Sequence, residues 1–215
     1  MKLYSYFRSS ASYRVRIALA LKGLPYEYAA VHLLKGGGQQ LSPVYRELNP
    51  DGLVPTLEDG PQVLTQSLAI IEYLNEMYPE PPLLPAAPAD RAYVRSVALQ
   101  VACEIHPIAN LRVLQYLKRR FGISDEQKSE WYQHWIVSGF SSLESRLNSE
   151  RRVGDFVFGS TPTIADLCLV PQIWNARRFE IPLSRYPIIC RLTSNAMKLD
   201  AFLQAEPAVQ PDAEL

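Results

Sequence analysis

The stretch "FRSSASYRVRIALALKG", residues 7–23, starts at the end of a predicted strand and continues directly into a predicted helix. Lys22 and Gly23 close this helix and Pro25 follows, which is the usual order of helix-stop signals. The helix is apolar over a wide arc, so it must be covered on more than one side. Strands "KLYSYF" and "YEYAAV" flank it, and so short a unit predicts parallel pairing through a right-handed crossover. The apolar positions are Val15, Ile17, Ala18, Leu19 and Leu21.

The segments that follow complete a small mixed sheet. "KGGGQQ", residues 35–40, is interpreted as a flexible loop, because three consecutive glycines do not sustain a helix and neither phosphate-binding glycine spacing is present. Residues 54–57 and 62–64 are predicted strands around Asp59-Gly60, a hairpin signal. "TQSLAIIEYLNEMY" then predicts a helix, so the order is β-α-β, a loop region, and β-β-α. The expected buried stripe of that last helix is Ile70, Leu74 and Met77.

A proline-rich segment divides the chain into two predicted domains. Residues 82–90 are interpreted as a linker between an α/β domain of residues 1–81 and a helical domain of residues 91–215. The second part shows helical spacing and no convincing strand, which indicates an all-α bundle. Its predicted boundaries are capping boxes at Ser124 with Gln127 and at Thr163 with Asp166, a kink or end at Pro107, and a last helix starting near Pro187.

Composition excludes several classes of protein. The 215 residues are 47% hydrophobic and 20% charged with zero formal net charge, so nothing suggests a nucleic-acid partner. No apolar run is long enough to predict a membrane span, and the N-terminus lacks the apolar core of a signal peptide. Cys103, Cys168 and Cys190 are scattered and have no metal or redox spacing. They favour a cytoplasmic location and are expected to be inert core residues.

The serines at the start of the first helix have two interpretations. Ser9 and Ser10 are ordinary capping residues, but a hydroxyl at a helix N-terminus also donates to an anion held there. This environment lowers the pKa of a thiol, yet Ala11 occupies the position where a cysteine of the chain itself would lie. A thiol at this spot must therefore come with a ligand. His32, His106 and His134 lie in unrelated segments and no metal-ligand cluster appears, which argues against a serine hydrolase or a metalloenzyme.

Two more features of the α/β domain suit the same ligand. Gln66 and Ser67 lie at a second helix start. Ser67 either caps this helix or binds a carboxylate of a ligand, to which Gln66 would add its amide. A cis bond between Val54 and Pro55 would leave the Val54 backbone free to pair with an extended peptide. Together with Ser9 and Ser10, these features favour a short anionic peptide that carries a thiol as the ligand.

Seven motifs are spread over the whole chain: "RVRIALALKG", "NPDGLVPTL", "QSLAIIEYL", "HPIANLRVL", "TIADLCLVPQ", "NARRF" and the late "QPD". Through these motifs the chain resembles the zeta class of soluble glutathione transferases. The resemblance implies a thioredoxin-like domain with an all-α domain, glutathione as cofactor, no metal, and a homodimer. Ser9 would hold the glutathione thiolate with Ser10 beside it, and Arg8 and Arg178 would grip substrate carboxylates unless they form a solvated or ion-paired face. Arg177 is an alternative to Arg178. The residues implied around glutathione and the cleft are Ser9, Ser10, Ala11, Ser12, Tyr13, Arg14, Gln40, Val54, Pro55, Gln66, Ser67, His106, Asn110, Leu111 and Arg112.

The same resemblance implies a reaction and its alternatives. The expected activity is glutathione-dependent cis–trans isomerisation of an enedione acid such as maleylacetoacetate, with no nucleic-acid or membrane partner. The family's usual cysteine is replaced by Ala11, so the sulfur would be borrowed entirely from glutathione. Three alternatives remain open: isomerisation of maleylpyruvate, conjugation or dehalogenation by a general glutathione transferase, and a non-catalytic glutathione-fold binding protein.

Overall fold

The computed structural model describes residues 1–214 and groups them into two compact units. The first unit contains Met1–Leu83 and the segment that starts at Met197, and the second is Leu84–Ala196. This division differs from the predicted one at two places. Residues 84–90 belong to the second unit, where Pro88 already begins a helix. The segment from Met197, expected in the helical domain, instead packs in the first unit, where Phe202 is buried.

The first unit contains the predicted four-stranded mixed sheet, which is confirmed. Its strands are β1 (Lys2–Ser5), β2 (Glu27–Ala30), β3 (Thr56–Asp59) and β4 (Gln62–Thr65), in the order β2-β1-β3-β4. β1 pairs in parallel with β2 and antiparallel with β3, and β3 pairs antiparallel with β4. β3 starts at Thr56 rather than at Val54, because Pro55 has no N–H to give to a ladder.

Nine α-helices lie within residues 1–214. They are α1 (Ser10–Leu21), α2 (Pro43–Leu48), α3 (Ser67–Met77), α4 (Pro88–Leu99), α5 (Leu111–Phe121), α6 (Asp125–Ser149), α7 (Ile164–Arg178), α8 (Pro187–Ala196) and α9 (Asp200–Gln204). None of the helices within residues 1–214 combines the length and apolar character that crossing a membrane requires.

In the first unit, α1 is covered on two sides, as its wide apolar arc predicts, because it packs against both α3 and α9. α2 was not predicted: Ser42 caps it and Pro43 occupies its first turn, a start signal inside the region interpreted as a loop. The loop before it contains the short 3-10 turns Lys35–Gly37 and Gln39–Leu41. The expected stripe of α3 was wrong at one position, since Met77 is 57% exposed while Ile70 and Leu74 are buried.

In the second unit, both predicted capping boxes are present at the starts of α6 and α7. The buried Asp166 carboxylate of the second box accepts from the Thr163 N–H at 2.8 Å and the Val157 N–H at 2.9 Å. Its burial raises the pKa of Asp166 to about 6. The helix before Pro107 ends in a π-helical segment, Gln100–Ile105, followed by a short 3-10 turn.

The cysteines depart from the expected core placement. Cys168 is buried, but Cys103 is exposed and Cys190 is half-buried. Cys103 lies in the π-helical segment Gln100–Ile105, which presents it to solvent beside the charged Glu104, although Val101, Ala102 and Ile105 are apolar.

Candidate active site

Ser9 occupies the junction between the loop after β1 and the start of α1. It has extended backbone geometry and is the N-cap residue, and its Oγ accepts from the Ser12 N–H at 3.2 Å. Its own N–H donates to the Tyr6 carbonyl at 2.9 Å, which fixes the loop. The capping interpretation is therefore correct for Ser9. The cap uses an oxygen lone pair and leaves the hydroxyl proton available to donate to an anion in front of the helix.

The next residues of α1 differ in how they face solvent. Ser10 and Ser12 are buried, whereas Ala11 is partly exposed between them. The Ser12 Oγ has no hydrogen-bond partner within residues 1–214. Ser9 is therefore the partly exposed hydroxyl at this helix start, and Ala11 contributes no reactive group beside it.

A second helix start is coupled to the first through Arg14. Ser67 is the first residue of α3, and its Oγ accepts from the Arg14 Nη1 at 3.2 Å. The N-cap position belongs to Gln66 and not to Ser67, so the capping interpretation of Ser67 was wrong. Gln66 has φ 68° and ψ 114°, a conformation that non-glycine residues rarely adopt and that is typically retained at functional sites.

The charge on Arg14 lies directly behind this second helix start. Arg14 is only 2% exposed, and its Nε and Nη2 have no hydrogen-bond partner within residues 1–214. A buried cation is costly unless a charge or several hydrogen bonds compensate it. An anion bound at the Ser67 hydroxyl would be stabilised by this guanidinium as well as by the N–H groups at the start of α3. Sequence reasoning placed Arg14 near the ligand but did not foresee its contact with Ser67.

Gln40 and Val54 form the third part of the site. Gln40 is buried, and its Nε2 donates to the Leu33 carbonyl at 3.4 Å while its Oε1 has no partner within residues 1–214. The Val54–Pro55 bond is cis. No hydrogen bond of the Val54 N–H or C=O lies within the described part of the chain. Val54 and Gln40 therefore offer the unpaired amide groups that an added peptide needs.

Two other predicted residues, Arg8 and Asn110, make identifiable local contacts. In the first unit, the Arg8 guanidinium lies 4.8 Å from the centroid of the Phe7 ring. In the second unit, Asn110 is the N-cap of α5 and accepts from the Arg112 N–H at 3.2 Å, which is a structural role.

Arg178 lies at the end of α7, exposed like Arg177, in an aromatic setting of the second unit. Its guanidinium is 5.7 Å from the Trp174 ring and 4.7 Å from the Phe179 ring. Stacking of this kind holds a planar guanidinium in place, and a side-chain hydrogen bond with Tyr132 also holds Arg178, so part of its N–H edge is left for a carboxylate. The roles of Arg178, His106, Leu111 and Arg112 toward a ligand remain predictions.

Comparison with known proteins fits this arrangement. Residues 3–82 match the family model of the glutathione S-transferase N-terminal domain. A probable maleylacetoacetate isomerase of Vibrio cholerae is 50% identical over 211 residues, which cover 98% of this chain and 97% of the relative. A solved maleylpyruvate isomerase, described as a bacterial zeta-class glutathione S-transferase in its holo form, is 49% identical with a TM-score of 0.96 and complete coverage of both chains.

A second solved structure holds a glutathione derivative. It is a maleylacetoacetate isomerase from Anaeromyxobacter dehalogenans 2CP-1, 40% identical with a TM-score of 0.86, covering all of this chain and 97% of that one. Dicarboxyethyl glutathione and citrate are bound in its active site. The chain belongs to the glutathione S-transferase family and, within it, to the zeta class.

Proposed function

We propose that the protein is a glutathione-dependent cis–trans isomerase of maleylacetoacetate. The observation that carries the proposal is the Ser9 hydroxyl at the start of α1, with the buried Arg14 behind Ser67 at the start of α3. Relatives that align over nearly the whole chain are named for this reaction. The second candidate is isomerisation of maleylpyruvate, which the 49% identical zeta-class structure supports.

The residues of the first unit fit a bound glutathione. Ser67 and Arg14 would hold a carboxylate end, and the free backbone groups of Val54 and the unpaired Gln40 amide oxygen would hold the peptide backbone. Ser9 would donate to the sulfur. When bound, glutathione supplies a thiolate nucleophile for reversible addition to a conjugated double bond.

The chain's own residues would act on charge and orientation. The Ser9 hydroxyl and the positive end of the α1 dipole favour the ionised thiol over the neutral one. Arg8 and Arg178 would orient the substrate carboxylates through forked hydrogen bonds. Dicarboxyethyl glutathione, seen in the relative, is a thioether of glutathione with a dicarboxylic acid, which agrees with a site that accepts carboxylates beside the sulfur.

Purified protein supplied with each substrate in turn tests the proposal. Maleylacetoacetate should be isomerised faster than maleylpyruvate, and turnover should vanish when glutathione is omitted, since no cysteine lies at Ala11. Faster turnover of maleylpyruvate would select the second candidate. Equal turnover with and without glutathione would exclude both.

Variants of Ser9 separate capping from donation. Ser9→Thr keeps both the cap and the hydroxyl proton, Ser9→Asp keeps a capping oxygen but cannot donate, and Ser9→Ala loses both. We expect Ser9→Asp to retain stability yet to lose about a hundredfold in isomerisation at fixed glutathione, as Ser9→Ala does, because a donor to developing charge is lost. Ser9→Thr should remain active. Unchanged turnover in Ser9→Ala would refute the assigned role.

Homodimer formation and a cytoplasmic location belong to the same proposal and are supported by the family resemblance. Sedimentation analysis at micromolar protein should give a single species of twice the chain mass of 24.3 kDa. A species of the chain mass alone would contradict the dimer without affecting the proposed chemistry.

A further inference from the structure

The last residues of the described chain pass beside both loops of the proposed glutathione site. Residues 205–214 are called the C-terminal strap. Its first residue is bound by α1, because the Arg16 Nε donates to the Ala205 carbonyl at 3.0 Å. Near its other end, Ala213 packs against a buried cluster that includes Phe7 and Val54. The strap therefore touches the hydrophobic support of the loops that hold Ser9 and Val54.

Asp212 binds the loop before Ser9 directly. Its Oδ2 accepts from the Phe7 N–H at 3.1 Å, and its Oδ1 accepts from the Tyr28 hydroxyl at 2.6 Å. On the other side, the Arg16 Nη2 donates to the Phe7 carbonyl at 3.0 Å. Both backbone groups of Phe7 are thus held by charged side chains, and Phe7 precedes Ser9 by two residues.

Glu214 supports the second loop through His32. The His32 Nδ1 accepts from the Leu34 N–H at 3.1 Å and the Lys35 N–H at 2.9 Å, so it carries no proton. The proton lies on Nε2, which donates to the Glu214 Oε1 at 3.1 Å. His32 also fixes the loop through its N–H, which donates to the Gln39 Oε1 at 2.7 Å. Glu214 therefore orients the ring on which the turn before Gln40 is built.

We propose that the C-terminal strap positions the glutathione site, with Asp212 as the positioning residue for the Ser9 loop and Glu214 as the positioning residue for the Gln40 loop. Neither carboxylate needs to touch the ligand. Each holds a backbone segment whose small displacement would misplace a ligand-binding group, and binding sites depend strongly on such support. The inference rests on the proposed function for the ligand, but the positioning of the loops is a property of the protein alone.

Amide hydrogen exchange of the ligand-free protein tests the two contacts separately. Asp212→Ala should accelerate exchange at Phe7 and Ser9 and leave the amides of Leu34 and Lys35 unchanged, and Glu214→Ala should do the reverse. Glu206→Ala is the matched control, because its carboxylate makes no hydrogen bond or ion pair within residues 1–214. Asp212→Asn should restore much of the protection, because its amide oxygen accepts from the Phe7 N–H and the Tyr28 hydroxyl accepts from its NH₂ group. Tyr28→Phe should have an intermediate effect.

Calorimetric titration with glutathione supplies the second measurement. The dissociation constant should rise about tenfold in Asp212→Ala, the size expected for loss of a hydrogen bond to a charged group, and should stay unchanged in Glu206→Ala. Uniformly faster exchange across the first unit would overturn the proposal in favour of a general stabilising role. Wild-type exchange and wild-type affinity in both Asp212→Ala and Glu214→Ala would also overturn it. If the wild type binds no glutathione, the proposed function fails, and the exchange pattern still decides whether the strap holds the loops.

Discussion

Arg14 and Arg16 lie two positions apart on α1 and are 2% and 1% exposed, yet their surroundings are opposite. The Arg16 guanidinium donates to Ser5, Tyr6, Phe7 and Ala205, and its burial lowers its pKa. Such a fully bonded group is structural. Arg14 donates to Ser67 alone, so its charge remains available to a ligand. The sequence shows two arginines on one helix and does not reveal which of them has several partners, because these partners lie on other segments: the loop before α1, the start of α3 and the C-terminal segment.

Gly38 leaves room for the side chain of Gln40. A Cβ on Gly38 would lie 2.7 Å from the Gln40 Nε2, so the bare backbone makes room for the Gln40 amide to fold back into the loop. Gly38→Ala should displace that amide and weaken glutathione binding about tenfold, because the proposed contact of its oxygen with glutathione would be lost. Isothermal titration of each variant with glutathione measures the effect.

Gly37 supplies the matched control for this substitution. Its φ of +82° strains an alanine, as does the +105° of Gly38, but a Cβ there meets no atom within 4 Å. Both alanine variants should therefore lose stability, roughly 1–3 kcal/mol each from backbone strain, while only Gly38→Ala loses affinity. Equal affinities in the two variants would show that Gln40 does not depend on this glycine.

Elements with a strong local signal were predicted well. The four strands, α1 and the capping boxes of α6 and α7 follow from periodicity and from side chains close in sequence. α2 and α9 were missed because both are short, and their stability comes from packing rather than from pattern. The π-helical segment Gln100–Ile105 has no sequence signature of its own, and the sequence predicted only that Pro107 must end or kink the helix.

The close approach of α6 to this π-helical segment gives a prediction at the scale of elements. A Cβ on Gly139 would lie 2.5 Å from the Ile105 Cγ1, and Ile105 is buried and branched, so it cannot move aside freely. Alanine normally stabilises a helix by about 1 kcal/mol relative to glycine. Here we expect Gly139→Ala to lower the free energy of unfolding by about 1–2 kcal/mol, since overpacking exceeds that gain. Urea unfolding measures it.

The neighbouring Ser138 and a double variant show whether contact with Ile105 is the cause. Ser138 is exposed on the same helix, so Ser138→Ala should change stability by less than about 0.5 kcal/mol. Adding Ile105→Ala to Gly139→Ala removes the clashing atoms, and the pair should be less destabilised than the sum of the single variants. A stabilised Gly139→Ala protein would show that the two elements separate easily.

At the scale of the whole molecule, the chain leaves its first unit after Leu83 and returns to it at Met197. The first of these boundaries falls in the proline-rich segment, but no composition change marks the return. The reason lies in distant contacts: Phe202 is fully buried, and the Tyr13 hydroxyl donates to the Phe202 carbonyl at 3.4 Å. Position in the sequence alone assigned α9 to the helical domain, while its partner, α1, lies almost two hundred residues earlier.

Because the first unit combines two separate segments of the chain, we expect neither segment to fold stably without the other. Residues 1–83 alone expose the face of α1 that α9 covers and leave the Arg16 Nε without its Ala205 acceptor, so they should show little amide protection and no cooperative unfolding. Joining residues 197–215 to them through a flexible glycine–serine linker of roughly 20 residues should restore both. The same linker followed by a scrambled 197–215 sequence is the control for chain length. If residues 1–83 alone unfold as cooperatively as the joined chain, the C-terminal segment adds nothing to this unit. If only the native segment restores the transition, the first unit is discontinuous in sequence, because α1 must pack against both α3 and α9.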